Sequence, residues 1–191
     1  MKKLRGFTLI EVMMVVAILA ILVKVATPSF REQIIKSAVS SAVTSFIADT
    51  RFARSEGVRR GGSVIMCRSD APEATTPVCN TNSGPGGNGW VSGWLVFEDR
   101  DSNANFSAGD QLLRVQGPIT NLDRIVESGG ASTKLVFTAM GRMNLASATS
   151  FTFGSTSTMT SAQQRAVCVG QSGRARIVGD GTTSCSSATD Q

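Results

Sequence analysis

The chain has 191 residues, 41% of them apolar and 17% charged, which is the balance of a folded protein with one main core and some extension. It has no histidine and no tyrosine, which excludes Ser-His-Asp and Cys-His relays, histidine general bases and histidine-rich metal sites, so neither an enzyme nor a cofactor carrier is expected. Nineteen basic residues against fourteen acidic give a formal +5, but Lys2, Lys3 and Arg5 supply three of those charges within the first six residues. The remainder is close to neutral, and any contact with a polyanion must rest on where particular arginines stand.

After that basic leader, Phe7 to Val23 form an apolar run of 17 residues, broken only by Glu11 and not followed by a small-x-small cleavage site. As a helix the run spans about 26 Å, close to a hydrocarbon core of ~30 Å and extendable through Val25 and Ala26. A single-pass anchor is therefore expected, its basic flank cytoplasmic and its C-terminal bulk outside the membrane. A carboxylate at that depth costs about 2.5–3.5 kcal/mol, so Glu11 needs a partner or a purpose.

Gly6-Phe7-Thr8-Leu9-Ile10-Glu11 behind a short basic leader resembles the class III signal of type IV pilins and type II secretion pseudopilins. The resemblance implies cleavage between Gly6 and Phe7 by a prepilin peptidase, N-methylation of Phe7, and retention of the apolar segment on the mature protein. Pro28, 22 residues into that mature chain, stands where pilins commonly carry a proline. Glu11 would neutralise the new terminal ammonium of a neighbouring subunit as helices pack, since two opposite charges buried together cost less than either alone.

Beyond Pro28, Phe30, Ile34, Ile35, Ala38, Ala42, Phe46, Ile47 and Ala53 keep close to a helical period, and Gly57 with Gly61-Gly62 provides the stop. The pattern predicts one long helix over about 7–56, bent near Pro28. Short β-favouring runs follow at 63–68, 94–98, 112–116, 135–138, 150–153, 165–169 and 174–178, separated by Gly, Ser and Asn clusters as in antiparallel strands. The fold class is α+β: a leader over 1–6, a transmembrane helix half over 7–28, an amphipathic half over 29–61, and a mostly antiparallel β head over 62–191. Many short strands on a long helix look like the GspH/FimT group of minor pilins and pseudopilins.

Trp90 and Trp94 could stack bases if exposed, but the setting WVSGWLVF is apolar enough to place them in the core. Asp99, Asp101, Asn103, Asn105, Ser107 and Asp110 occupy positions 1, 3, 5, 7, 9 and 12 of an EF-hand-like register. Ala104 in place of glycine, Asp110 in place of glutamate and the absence of an entering helix weaken this calcium reading, and a hairpin loop of turn-forming residues explains the composition equally well. The outward topology makes disulfides the leading reading for Cys67, Cys79, Cys168 and Cys185; of three possible pairings, proximity favours Cys67–Cys79 and Cys168–Cys185. Neither spacing suits zinc.

Between the last two cysteines, Gln171-Ser172-Gly173 reads as a hairpin turn, with Arg174 and Arg176 opening the second strand on one face and Ala175 and Ile177 on the other. Two guanidiniums at i and i+2 can meet one array of phosphates, and Gly173 allows close backbone approach. From Lys134 onward, Lys134, Arg142, Arg165, Arg174 and Arg176 face only Asp180 and Asp190. Gly173-Arg174-Ala175-Arg176 also looks like the G-R-x-R element of FimT-type minor pilins, a resemblance that implies non-specific DNA binding in natural transformation. Arg59, Arg60, Arg142 and Lys134 are auxiliary candidates. Two functions are therefore expected to compete: a pilus-borne DNA-binding minor pilin, and a minor pilin or type II secretion pseudopilin whose head primes assembly. Both have other pilin subunits, the prepilin peptidase and the inner membrane as partners, with the head in the periplasm before assembly into a surface pilus.

Overall fold

A computed structural model describes residues 6–128, 133–144, 148–155, 159–183 and 185. The leader basics Lys2, Lys3 and Arg5 lie outside the described residues, as do residues 186–191. Helix α1 runs Leu9–Arg60, and eight strands follow: β1 Val64–Arg68, β2 Trp94–Glu98, β3 Gln111–Gln116, β4 Arg124–Ser128, β5 Lys134–Phe137, β6 Thr149–Gly154, β7 Arg165–Val169 and β8 Ala175–Gly179. They form two antiparallel sheets, β3-β2-β1-β5 and β4-β6-β7-β8, both packed against the second half of α1.

The helix opens on Thr8, whose hydroxyl accepts the Glu11 amide at 3.4 Å, and Glu11 in the first turn is favourably placed against the helix dipole. The helix continues through Pro28, so the proline ends nothing there. It also passes Gly57, expected as a stop, and closes four residues later, at Gly61 in the left-handed region (φ 65°). Gly57 lies against Phe137 and Thr138, where a Cβ would stand 3.1 Å from the Thr138 carbonyl oxygen; this glycine sets the approach of helix to sheet.

Among the described residues, no helix is long and apolar enough to cross a membrane. Between Glu11 and Lys24 the twelve residues Val12–Val23 are uninterrupted by charge, about 18 Å of helix. Their large side chains, with those of Phe7, Leu9 and Ile10, are exposed.

Val39, Ala42, Val43, Phe46, Ile47 and Ala53 form the buried stripe of α1 at helical spacing. Phe46 is its centre, with ring centroids 5.8 Å from Trp90, 5.5 Å from Trp94, 4.7 Å from Phe151 and 5.4 Å from Phe153. Both tryptophans are fully buried, as their apolar setting indicates, and their indole N–H groups donate to Glu127 (3.1 Å) and Asp49 (2.9 Å). On β1 and β2, Val64, Met66, Trp94 and Val96 face this core, while Ile65, Cys67, Leu95 and Phe97 form a second cluster on the opposite face with Cys79 and Phe106.

Strand β4 has no counterpart among the expected runs. Of Arg124, Ile125, Val126 and Glu127, only Ile125 reaches the core, which leaves too little alternation to read. A parallel bridge from Gly89 to Ile125 links the segment before β2 to this strand, and a Cβ at Gly89 would collide with the Ile125 carbonyl oxygen. Disulfides join Cys67 to Cys79 and Cys168 to Cys185, each with Cα atoms 5.6 Å apart, in the pairing that proximity favours.

Candidate functional site

The β7–β8 hairpin turns at residues 170–173. The Gly173 amide donates to the Gly170 carbonyl (2.8 Å), the Gly170 amide to the Arg174 carbonyl (3.0 Å), and the Met143 amide fastens the turn through Gln171 O (2.9 Å). Strand β8 starts at Ala175, one residue later than expected, so Arg174 belongs to the turn's exit. Gly173 has φ 72°, and a Cβ there would strike Gly141 O. Its lack of a side chain thus serves close packing on the 138–143 turn, where Arg54 Nε also donates to Gly141 O at 3.0 Å.

Register separates the two faces of β8. Ala175 and Ile177 pair with Val169 and Val167, whose side chains face α1, whereas Arg176 pairs with Cys168 on the other face. Ala175 is buried, whereas Ile177, further along this edge strand, is 56% exposed.

Between this edge and the last turns of α1 lies a groove of about 620 Å³, lined by Arg51, Arg54, Ser55 and Val58 and by Gly173, Arg174, Ala175 and Arg176. An adjoining hollow of about 400 Å³ is lined by Arg54, Arg142, Gln171 and Ser172. Five arginines therefore line these two hollows, which share Arg54, and among the described residues no acidic residue lines either. The guanidiniums of Arg51, Arg142 and Arg174 have no acceptor among the described residues. Guanidiniums are planar donors that pair with anionic oxygens.

Arg51 and Arg54 escaped the sequence reading. Residues 51, 54, 55 and 58 follow i, i+3, i+4, i+7, which puts them on one helix face. That spacing was visible in the sequence; that β8 would lie beside it was not.

The auxiliary basic residues divide. Arg142 joins the site. Arg59 and Arg60 are committed to Glu56 (2.5 and 2.8 Å), and Arg60 also to Glu98 (2.5 Å). Hydrogen bonds from Arg59 and then Arg60 hold the Glu56 carboxyl down at about 2, against 4.5 unperturbed. A depressed folded-state value contributes stability that is complete above about 4.5 and lost as the pH falls toward 2. Thermal midpoints measured over that window should fall less steeply for Glu56→Gln than for the parent; parallel curves would refute the assignment.

Lys134 Nζ donates to Ala104 O (2.6 Å) and Asn105 Oδ1 (2.7 Å), away from the groove. In that same β2–β3 loop, Asp99, Asp101 and Asp110 bring carboxylate oxygens within 4.8 Å of one another. Asn103 and Asn105 are used within the loop, since the Asn105 amide donates to Asn103 Oδ1 (2.6 Å).

The family model for the type II transport protein GspH matches residues 42–173, and that for the prokaryotic N-terminal methylation motif matches residues 1–23. The chain belongs to the GspH family. Its fold is that of a type IV pilin. Two crystal forms of the type IV minor pilin FimU of Pseudomonas aeruginosa PAO1 superpose with TM-scores of 0.52 and 0.53 at 20% and 18% identity. The alignments cover 73% of this chain and 91% and 87% of FimU. GspH-type chains are structural filament subunits that assemble with other pilins, and the methylation motif implies processing by a prepilin peptidase. In this GspH-family chain the match ends at Gly173, so Arg174 and Arg176 lie just past it, while Arg51, Arg54 and Arg142 lie within.

Proposed function

We propose that this GspH-family chain is a minor type IV pilin that binds DNA non-specifically through the groove between α1 and β8, for DNA uptake. The observation that carries the proposal is that Arg51, Arg54, Arg142, Arg174 and Arg176 line two adjoining hollows in which, among the described residues, no carboxylate takes part. Each arginine that neutralises a phosphate releases counterions, giving an affinity indifferent to base sequence and steeply dependent on salt. That suits capture of arbitrary DNA outside the cell.

In the same reading Gly6–Phe7 is the processing and methylation site. The exposed apolar residues from Phe7 to Val23 hold the precursor in the inner membrane, with the head in the periplasm, and pack among neighbouring helices once the subunit enters the pilus. Glu11, exposed in the first turn, is the carboxylate that meets a neighbour's terminal ammonium. The GspH match supports the alternative, a pseudopilin-like subunit that primes assembly without touching DNA.

The test is fluorescence anisotropy of a labelled duplex with the full chain in non-ionic detergent. Binding at low salt should weaken linearly in log salt, with a slope of about −0.9 per phosphate neutralised. Arg174→Gln with Arg176→Gln should cost tenfold or more in affinity and reduce the slope by about 2, with the circular dichroism unchanged. No binding by the parent chain at low ionic strength would leave the assembly role in its place.

A further inference from the structure

We propose that the β2–β3 loop is a calcium site, with the carboxylates of Asp99, Asp101 and Asp110 as its ligands. Their oxygens converge within 4.8 Å, a spacing at which like charges repel and a cation among them would relieve the repulsion. Only 8% of Asp99 is exposed. Its Oδ2 accepts the Ala104 amide at 3.2 Å, but its Oδ1 is buried without any donor. A carboxylate oxygen taken from water and left unpaired is costly, and a metal ion is the partner that would satisfy it.

The charge count points the same way. Lys134 is the ammonium at the loop's rim, and the Arg100 guanidinium turns away to Glu98 (3.2 Å) and Gln111 (2.8 Å). Three carboxylates against one ammonium leave two negative charges, the complement of a divalent ion.

The donors are all oxygen, with neither thiolate nor imidazole, which selects a hard cation. Asp101 is exposed and the loop is irregular, so its ligand geometry is adaptable; calcium tolerates that, whereas magnesium demands near-ideal octahedral coordination. Asp99, Asp101 and Asp110 hold positions 1, 3 and 12 of the loop register, and water completes the shell because the Asn105 oxygen is held by Lys134. Three protein ligands imply the weak binding of extracellular modules, with Kd about 10⁻⁴–10⁻³ M. The ion would fasten the loop whose Phe106 packs edge-on against Phe97 (centroids 5.4 Å apart), next to Cys79.

The experiment uses the full chain in non-ionic detergent, stripped with chelator and titrated with CaCl₂ over about 0.1–10 mM at constant ionic strength, with thermal unfolding and calorimetry as readouts. Calcium should raise the unfolding midpoint by about 2–4 °C at saturation, half-maximally within that range. The rise should be absent in Asp99→Asn and in Asp101→Asn. In chelator, Asp99→Asn should unfold at a higher temperature than the parent, because the unpaired buried charge is gone. Asp101 is exposed, so its variant folds and keeps the test decisive. The proposal is overturned by no rise beyond the NaCl-matched control, by an equal rise with MgCl₂, or by an undiminished rise in both variants.

Discussion

Replacing Phe46 with alanine is expected to lower the stability of the head by about 3–5 kcal/mol, the largest single-residue effect we foresee. The ring is fully buried and touches four aromatic partners drawn from both sheets and the segment between them. Those neighbours cannot all collapse into the vacancy: Trp90 and Trp94 are pinned by their indole hydrogen bonds to Glu127 and Asp49. Lost transfer energy therefore adds to a cavity that relaxes little. Phe46→Leu, which keeps most of the volume, should cost less than half as much in urea or thermal denaturation. Equal losses for the two variants would mean that the aromatic cluster is not the keystone of the helix–sheet contact.

The second large effect is on binding. Reversing charge at Arg51 and Arg174 together should weaken duplex binding about 100-fold at low salt, because each change removes a phosphate contact and adds a repulsive one. One residue is on the helix and the other on the hairpin, and both guanidiniums lack an acceptor among the described residues, so neither change breaks an internal bond there. Arg59→Glu is the matched control: equally a surface arginine of the last helical turns, but already neutralised by Glu56. It should change affinity less than about threefold. If the control falls as far as the double variant, binding follows net charge and not the groove.

That contrast between Arg51 and Arg59 shows where sequence reasoning stopped. The long helix, the β head and both cysteine pairs were legible because each leaves a local mark: a 3.6-residue apolar period, short β-branched runs between glycines, and cysteines close along the chain outside the cytoplasm. The hairpin arginines were legible for the same reason. The helix arginines were not, since their role depends on which strand edge comes to rest beside residues 51–58, a non-local fact.

Gly57 and Arg68 mark the same boundary from the other side. Gly57 carries the signature of a helix stop, yet contact with Phe137 and Thr138 makes it a point of close packing. Arg68, in the apolar strand VIMCR, gives no hint of being wholly buried; Asp70 and Asn82 receive its guanidinium, and Asn82 belongs to the loop beyond Cys79. The short strand β4 was lost because a single core-facing residue has no period.

Helix α1 is continuous over 52 residues. Its solvent-facing greasy end and the arginines of its last turns belong to one ladder of helical turns from Leu9 to Arg60. Tension applied to a polymer held in the groove would travel along that ladder to the opposite end of the molecule, while the clasp between Arg54 and the 138–143 turn keeps the hairpin moving with the shaft.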